Sequence, residues 1–395
     1  MIRSTKLLIC VLSGIAAFAT TITQAGPRVA GGDLTILGTV EVTETDRASP
    51  NATSSSDTIF RFTPAFNWAR ESNRMALSSS LSFPMSRYED NDALDSDSIS
   101  FSLNGEMPFG NGPKLSGDWG ISYFDGVQAS YFTNQNLDSE DFSANAYIDY
   151  LLQRKLSFRS RISYQDRSSN GIERISSNDH KTTLFAAGLH SRDFIRGRIG
   201  LYAEYVIQER KTNSNQQNEG IDDTDDGLNF GITGQILPER LFPKLDADLS
   251  FGFTSTGVDS SNSNTNSGDE NRLTLNGRLA YPFNPKTNVA LTYNRNLDIT
   301  DDDQTVESST FELSLDYTPK QKLSFVSAIA FESNDYIYDI NSRNDDVFRF
   351  SFGANYSIRS NWFASFSIDH RDSSSNNAIS DYDSTQFTLS TTIQF

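Results

Sequence analysis

The sequence predicts an all-β fold: a single transmembrane antiparallel up-and-down β-barrel of about 18 strands, within the range ~16–18. Three observations carry this. From Asp33 to Phe395, apolar and polar residues alternate with period two in runs of roughly ten to fourteen residues. The connections between runs alternate between short turns and longer acidic stretches. Beyond residue 25 there is no apolar run of about 18 residues, which excludes membrane-spanning helices and leaves strands untouched.

The chain opens with Arg3 and Lys6, an apolar stretch from Leu7 to Ala19, and Thr23-Gln24-Ala25 before Gly26. Residues 1–25 therefore read as a secretory signal peptide. Cys10 lies early in the apolar stretch and leaves with it. The exported chain, residues 26–395, then has no cysteine, and its 31 basic and 51 acidic side chains bring the net charge from −18 to near −20. A cysteine-free exported chain of this size belongs in a bacterial envelope rather than among small disulfide-built domains. Its acidity excludes nucleic acid as a partner, because phosphate binding needs clustered Lys and Arg. No compositional break follows, so residues 26–395 form one barrel domain.

The alternation is clearest in a few runs. Phe60, Phe62, Phe66 and Trp68 oppose Arg61, Thr63 and Asn67. Leu156, Phe158, Ile162 and Tyr164 oppose Ser157, Arg159, Arg161 and Ser163. Leu249, Phe251 and Phe253 oppose Asp248, Ser250 and Gly252, and Phe311, Leu313, Leu315 and Tyr317 oppose Glu312, Ser314 and Asp316. A soluble sandwich also alternates, but its strands average ~5–6 residues, whereas ten or more cross a bilayer at a tilt of ~45°. Trp68, Trp119, Tyr123, Tyr150, Tyr164, Tyr317 and Trp362 sit near run ends, where interfacial aromatic belts are expected. An open sheet edge in lipid would leave backbone groups unpaired, so the barrel must close.

If the apolar parity meets lipid, the polar parity lines a wet lumen. The lumen candidates are Arg61, Arg159, Arg161, Arg196, Arg198, Glu204, Asp246, Asp248, Arg272 and Arg278. Two readings stand side by side. The arginines form a basic stripe that guides anionic solutes, or Asp149, Glu204, Asp246 and Asp248 neutralise them in a wall network.

Orientation follows from the connections. The short set includes residues 71–74, 110–114, 153–155, 284–287, 319–322 and 359–361, mostly with a Lys or Arg; the long set includes 89–97, 213–226, 260–270, 298–307 and 370–383. Outer-membrane barrels have short periplasmic turns and longer external loops, so the acidic set is expected outside. A first strand near Leu34–Thr45 and a last near Thr385–Phe395 then place both termini in the periplasm.

Residues with catalytic or metal-binding potential are sparse. The only histidines are His180, His190 and His370, without the spacing of a zinc protease or hydrolase motif. Asp369-His370-Arg371-Asp372 is the one local cluster with nucleophile-activating residue types, and it reads better as a solvated loop base. Asp301, Asp302, Asp303 and Glu307, and Asp222, Asp223, Asp225 and Asp226, offer hard oxygen donors for Ca²⁺ but lack EF-hand spacing, so they read as charged surface. No enzyme activity, cofactor or resident metal is expected.

Two stretches carry family resemblance. Residues 386–395 alternate to the terminal Phe395 and are similar to the last strand of bacterial outer-membrane proteins, which the barrel assembly machinery reads. That resemblance implies a Gram-negative outer membrane, with its lipid and lipopolysaccharide, as the protein's setting. Residues 38–66, with Ser56-Asp57-Thr58-Ile59-Phe60-Arg61-Phe62-Thr63-Pro64 at their centre, resemble the opening hairpin of a β-barrel porin family associated with exopolysaccharide and capsule gene clusters. This second likeness implies a channel or scaffold in polysaccharide secretion, partnered by periplasmic and inner-membrane export proteins. Barrel size alone implies a general diffusion porin for small solutes, and the polar loops alone a surface-structural barrel.

Overall fold

A computed structural model describes residues 27–48, 55–72, 75–109, 114–130, 135–171, 177–195, 199–214, 221–235, 244–260, 268–299, 305–337, 343–376 and 381–395. The expected signal peptide, with Cys10, lies outside the described residues.

Eighteen strands follow one another around the barrel: β1 (Gly32–Thr45), β2 (Asp57–Ser72), β3 (Met75–Ser82, resuming at Met85–Tyr88), β4 (Ser96–Asp97, resuming at Ile99–Phe109), β5 (Leu115–Ser130), β6 (Gln135–Gln153), β7 (Leu156–Gly171), β8 (Ser177–Ile195) and β9 (Ile199–Ser214). They continue as β10 (Ile221–Gly234), β11 (Asp246–Ser260), β12 (Gly268–Asn284), β13 (Thr287–Ile299), β14 (Thr305–Lys320), β15 (Leu323–Ile337), β16 (Asn344–Arg359), β17 (Trp362–Ser375) and β18 (Tyr382–Gln394). Each pairs antiparallel with its sequence neighbour, and β18 returns to β1 with Thr392 opposite Thr39 and Thr388 opposite Thr43. At the closing seam the Phe395 amide donates to the Ile36 carbonyl at 2.8 Å. The only helix among the described residues is the one-turn 3₁₀ segment Asp92–Leu94.

Local breaks have local causes. β3 is interrupted at Phe83-Pro84, where proline brings no N–H to the ladder. Before β1, Arg28–Val29 folds back on Gly32–Asp33 through Ala30 at φ 52° and Gly31 at φ 79°. Those paired left-handed angles are what a two-residue type I′ hairpin turn requires, and they supply its right-handed twist.

The burial pattern separates a membrane barrel from a soluble sandwich. Phe253 is 63% exposed, Phe331 56% and Ile162 51%, although a sandwich would bury such residues between sheets. Among the described residues, the large exposed apolar side chains lie mainly on the outward parity of the strands. The largest fully buried side chains are Val306, Asn334, Ser139 and Ser157.

The strands are longer than the alternation predicts. β6 and β8 each run 19 residues, well beyond the ~9–11 that cross a bilayer. The expected long loops are correspondingly short: the 213–226 stretch keeps only 215–220 outside strands, 298–307 keeps 300–304, and 370–383 keeps 376–381. Alternation stops marking strands where neither face meets lipid, and there ladder pairing continues between polar residues. One turn-end connection is long, at 235–245.

Candidate functional site in the barrel lumen

The register gives each strand an inward face, and the inner wall divides into two sectors. On β17, β18 and β1 to β6 it is lined mainly by small hydroxyl residues that bond across strands. Thr39 and Thr392 hydroxyls lie 2.9 Å apart, Thr43 and Thr388 3.0 Å, Ser365 and Ser390 2.6 Å, and Ser122 and Ser143 2.6 Å, while Ser80 donates to the Asn67 amide oxygen at 2.7 Å. One charge here is closed in a pair, Arg61 with Glu41 at 3.0 Å and with the Ser86 hydroxyl at 3.1 Å, while the exposed carboxylates Glu106 and Asp118 stand opposite each other in the ladder.

From β6 through β16 the inward side chains are long and ionic. Near the turn end, Arg159 on β7 donates to Asp149 on β6 at 2.9 Å and lies 3.0 Å from His190 Nδ1 on β8. The His190 ring stacks on Tyr202 of β9, with centroids 4.8 Å apart and planes at 10°. Tyr202 has space because position 231 on β10 is glycine, where a Cβ would stand 2.0 Å from the ring. Its hydroxyl donates to Asp248 of β11 at 3.4 Å. Glu204 lies between Arg161 at 3.8 Å and His190 at 4.0 Å. Six consecutive strands, β6 to β11, thus meet in one cluster at the mouth where the short turns lie.

Towards the other mouth the pairs are more buried. Arg210 meets Asp225 at 2.6 Å, and Arg343 meets Asp345 at 2.6 Å, with the Tyr336 ring 4.1 Å from its guanidinium. Arg349 pairs with Glu332 at 3.0 Å. Glu307 accepts from Arg272 at 2.6 Å and from Arg295 Nε at 2.7 Å.

The sequence candidates fall as follows. Arg61, Arg159, Arg161 and Arg272 face the lumen, each within 3.8 Å of a carboxylate. Glu204 and Asp248 join the turn-end cluster, Asp246 is exposed opposite Ala280, and Arg278 stands opposite Asp248 in the ladder. Arg196 and Arg198, expected on a strand, fall between the end of β8 and the start of β9, outside the described residues. Phe395 occupies the seam. Sequence reading passed over His190 and Tyr202 as members of this cluster; the local signal was the inward Gly231, which leaves space for a ring.

The other candidates scatter. In Asp369-His370-Arg371-Asp372, strand alternation sends Asp369 and Arg371 to one face and His370 and Asp372 to the other, and His370 bonds Thr385 at 3.0 Å. Asp225 is committed to Arg210 and Asp226 accepts from Tyr205 at 3.2 Å, while Asp301, Asp302 and Asp303 lie outside the described residues. Among the described residues, no three His, Cys, Asp or Glu side chains converge as metal ligands.

The bore follows from strand number. Eighteen strands ~4.8 Å apart and tilted ~40° enclose about 36 Å between backbones in a round barrel. The longest connections, 46–56 and 235–245, reach at most ~18 Å from the wall and back.

Comparison with known proteins agrees with this architecture. The family described as "Putative beta-barrel porin 2" matches residues 198–395, half of the chain, covering β9 to β18. The match lies outside the 38–66 hairpin. Solved structures share the fold. The chain is similar to the ferric-catecholate import receptor Fiu from E. coli K12 (10% identity, 95% of this chain and 83% of that one, TM-score 0.51). It is also similar to the copper transporter OprC (9% identity, 92% and 64%, TM-score 0.50). Identities this low establish likeness of fold alone. No curated protein matches the sequence.

Proposed function

The chain belongs to the family described as Putative beta-barrel porin 2 and is a Gram-negative outer-membrane barrel, and from that premise we propose that it is the outer-membrane conduit of an exopolysaccharide secretion system. The observation that carries this reading is the closed ring of eighteen strands, which in a round barrel stands about 36 Å between backbones, with an inward wall rich in hydroxyls and paired charges among the described residues. Such a wall offers a flexible, hydrated polymer many weak hydrogen bonds. The likeness of residues 38–66 to a porin family associated with exopolysaccharide genes points the same way.

In this role the protein is a passage and not a catalyst. Lipid covers the outward apolar parity, lipopolysaccharide surrounds the acidic end, and Phe395 hands the last strand to the barrel assembly machinery. The turn-end mouth, with its Arg159, His190 and Tyr202 cluster, faces periplasmic export proteins.

General diffusion of small solutes is the rival reading, favoured by the same bore. A deletion strain assayed in parallel for surface polysaccharide and small-sugar uptake separates the two. The conduit reading expects surface polymer to fall and periplasmic polymer to accumulate, with sugar uptake unchanged. Normal surface polymer with reduced uptake would replace it by the porin reading.

A further inference from the structure

A recess of about 910 Å³ opens off the lumen towards the end opposite the short turns, bounded by β1 to β6, β17 and β18. That volume lies at the upper end of the ~300–1,000 Å³ of small-molecule sites. Its chemistry differs from the ionic sector. Three aromatic rings line it, Tyr88, Phe124 and Tyr382, with Tyr88 and Phe124 half-exposed. Three primary amides line it as well, Gln128, Asn136 and Gln386. None of these amides makes a side-chain hydrogen bond among the described residues, and the Asn136 nitrogen is buried without a partner there. Each amide offers two donors and an acceptor oxygen with two lone pairs. The charges of the recess are spent internally: Arg61 pairs with Glu41, and Arg47 pairs with Asp383 at 3.0 Å while lying over the Tyr382 ring.

We propose that this recess is a subsite for an uncharged oligosaccharide segment at the outer mouth of the lumen. The proposal rests on the conduit reading and adds where and by what chemistry the polymer is held. A pyranose ring presents an apolar C–H face, which packs on an aromatic ring, and an edge of hydroxyls that both donate and accept. The part-exposed amides of Gln128 and Gln386, which make no side-chain hydrogen bond among the described residues, match that edge. With both arginines paired, a polyanion finds no free positive charge, so neutral saccharide is favoured over acidic. The hydroxyl wall leading down β1 and β18 from the recess continues the same chemistry into the lumen.

The test is current blockade by maltohexaose of the full-length protein in a planar bilayer, with hexagalacturonate as the acidic arm. Maltohexaose is expected to block in a concentration-dependent way and hexagalacturonate more weakly. Tyr88→Ala combined with Gln386→Ala should raise the half-blocking concentration at least about fivefold, the equivalent of one lost contact, with open-channel conductance in KCl unchanged. Tyr88→Phe, which keeps the ring, should behave as the parent and controls for folding. Absence of block, equal block in the double variant, or stronger block by hexagalacturonate would overturn the subsite. Loss of surface polymer in the deletion strain without any maltohexaose block removes the subsite and keeps the conduit. Block in a protein whose deletion leaves surface polymer normal keeps the saccharide site and assigns it to a diffusion porin.

Discussion

The two sectors of the lumen wall solve one problem with opposite materials. Inward polar groups must be satisfied without a core around them. The hydroxyl sector does so with neighbours one strand away, such as Ser122 with Ser143 and Thr43 with Thr388. The hydroxyl-bearing side chains there are short, and the recess opens off the lumen beside them. The ionic sector uses long side chains that reach diagonally, as Arg161 does to Glu204, and that stack, as His190 does on Tyr202. Hydroxyl pairs are cheap to lose because either partner turns to lumen water. A buried ion pair fails when one member is removed, because the other charge stays desolvated. Ion pairs and stacked rings thus gather on β6 to β16, and the large recess on β17 through β6.

The sharpest way to break this contrast is Arg210→Ala. Arg210 and Asp225 are both nearly inaccessible, so the variant strands a buried carboxylate and should cost about 3–5 kcal/mol. The measurement is the temperature at which the heat-modifiable folded band converts during gel electrophoresis. The double replacement Arg210→Leu with Asp225→Leu should recover part of the loss. An Arg210→Ala protein that converts with the parent would remove the claim that the ionic sector braces the wall.

A smaller effect is expected from Arg159→Ala with Arg161→Ala. This removes two cations at the turn-end mouth from Asp149 and Glu204, and the ratio of anion to cation permeability in bilayers should fall about twofold or more. An unchanged ratio would mean the arginines serve the wall and do not steer ions. The smallest effect belongs to Ser122→Ala. Losing its bond to Ser143 should cost less than ~1 kcal/mol by the same gel assay and leave permeability ratios untouched. A larger loss would erase the difference between the sectors.

Much of the fold was legible in the sequence, and the missed parts share a cause. Alternation revealed the strands wherever one face meets lipid, as with Phe311, Leu313 and Leu315 against Glu312 and Ser314. Above the membrane both faces meet water, so Asp225 and Asp226, expected in a loop, continue β10 without an apolar parity to mark them. The same period-two rule divides Asp369-His370-Arg371-Asp372 between two faces, although their closeness in sequence suggested a cluster. The family match falls on β9 to β18, whereas the hairpin that suggested a porin family lies in the first strands. Degenerate β sequence shares its texture around the whole barrel, so the resemblance surfaced in one half and the match in the other.

The sequence by itself determined that strands and not helices cross the membrane, that about 18 of them do so, which parity meets lipid, and that both ends of the barrel return to the turn side. These follow from the side-chain period of a strand and from the impossibility of an open edge in lipid. Only the tertiary structure decided which inward residue meets which. Thr39 finds Thr392 across 353 positions, and Arg161 reaches Glu204 across two strand pairings. Partners of that kind depend on ladder register and on the closing seam, and register is set by turn geometry and pairing along every strand at once.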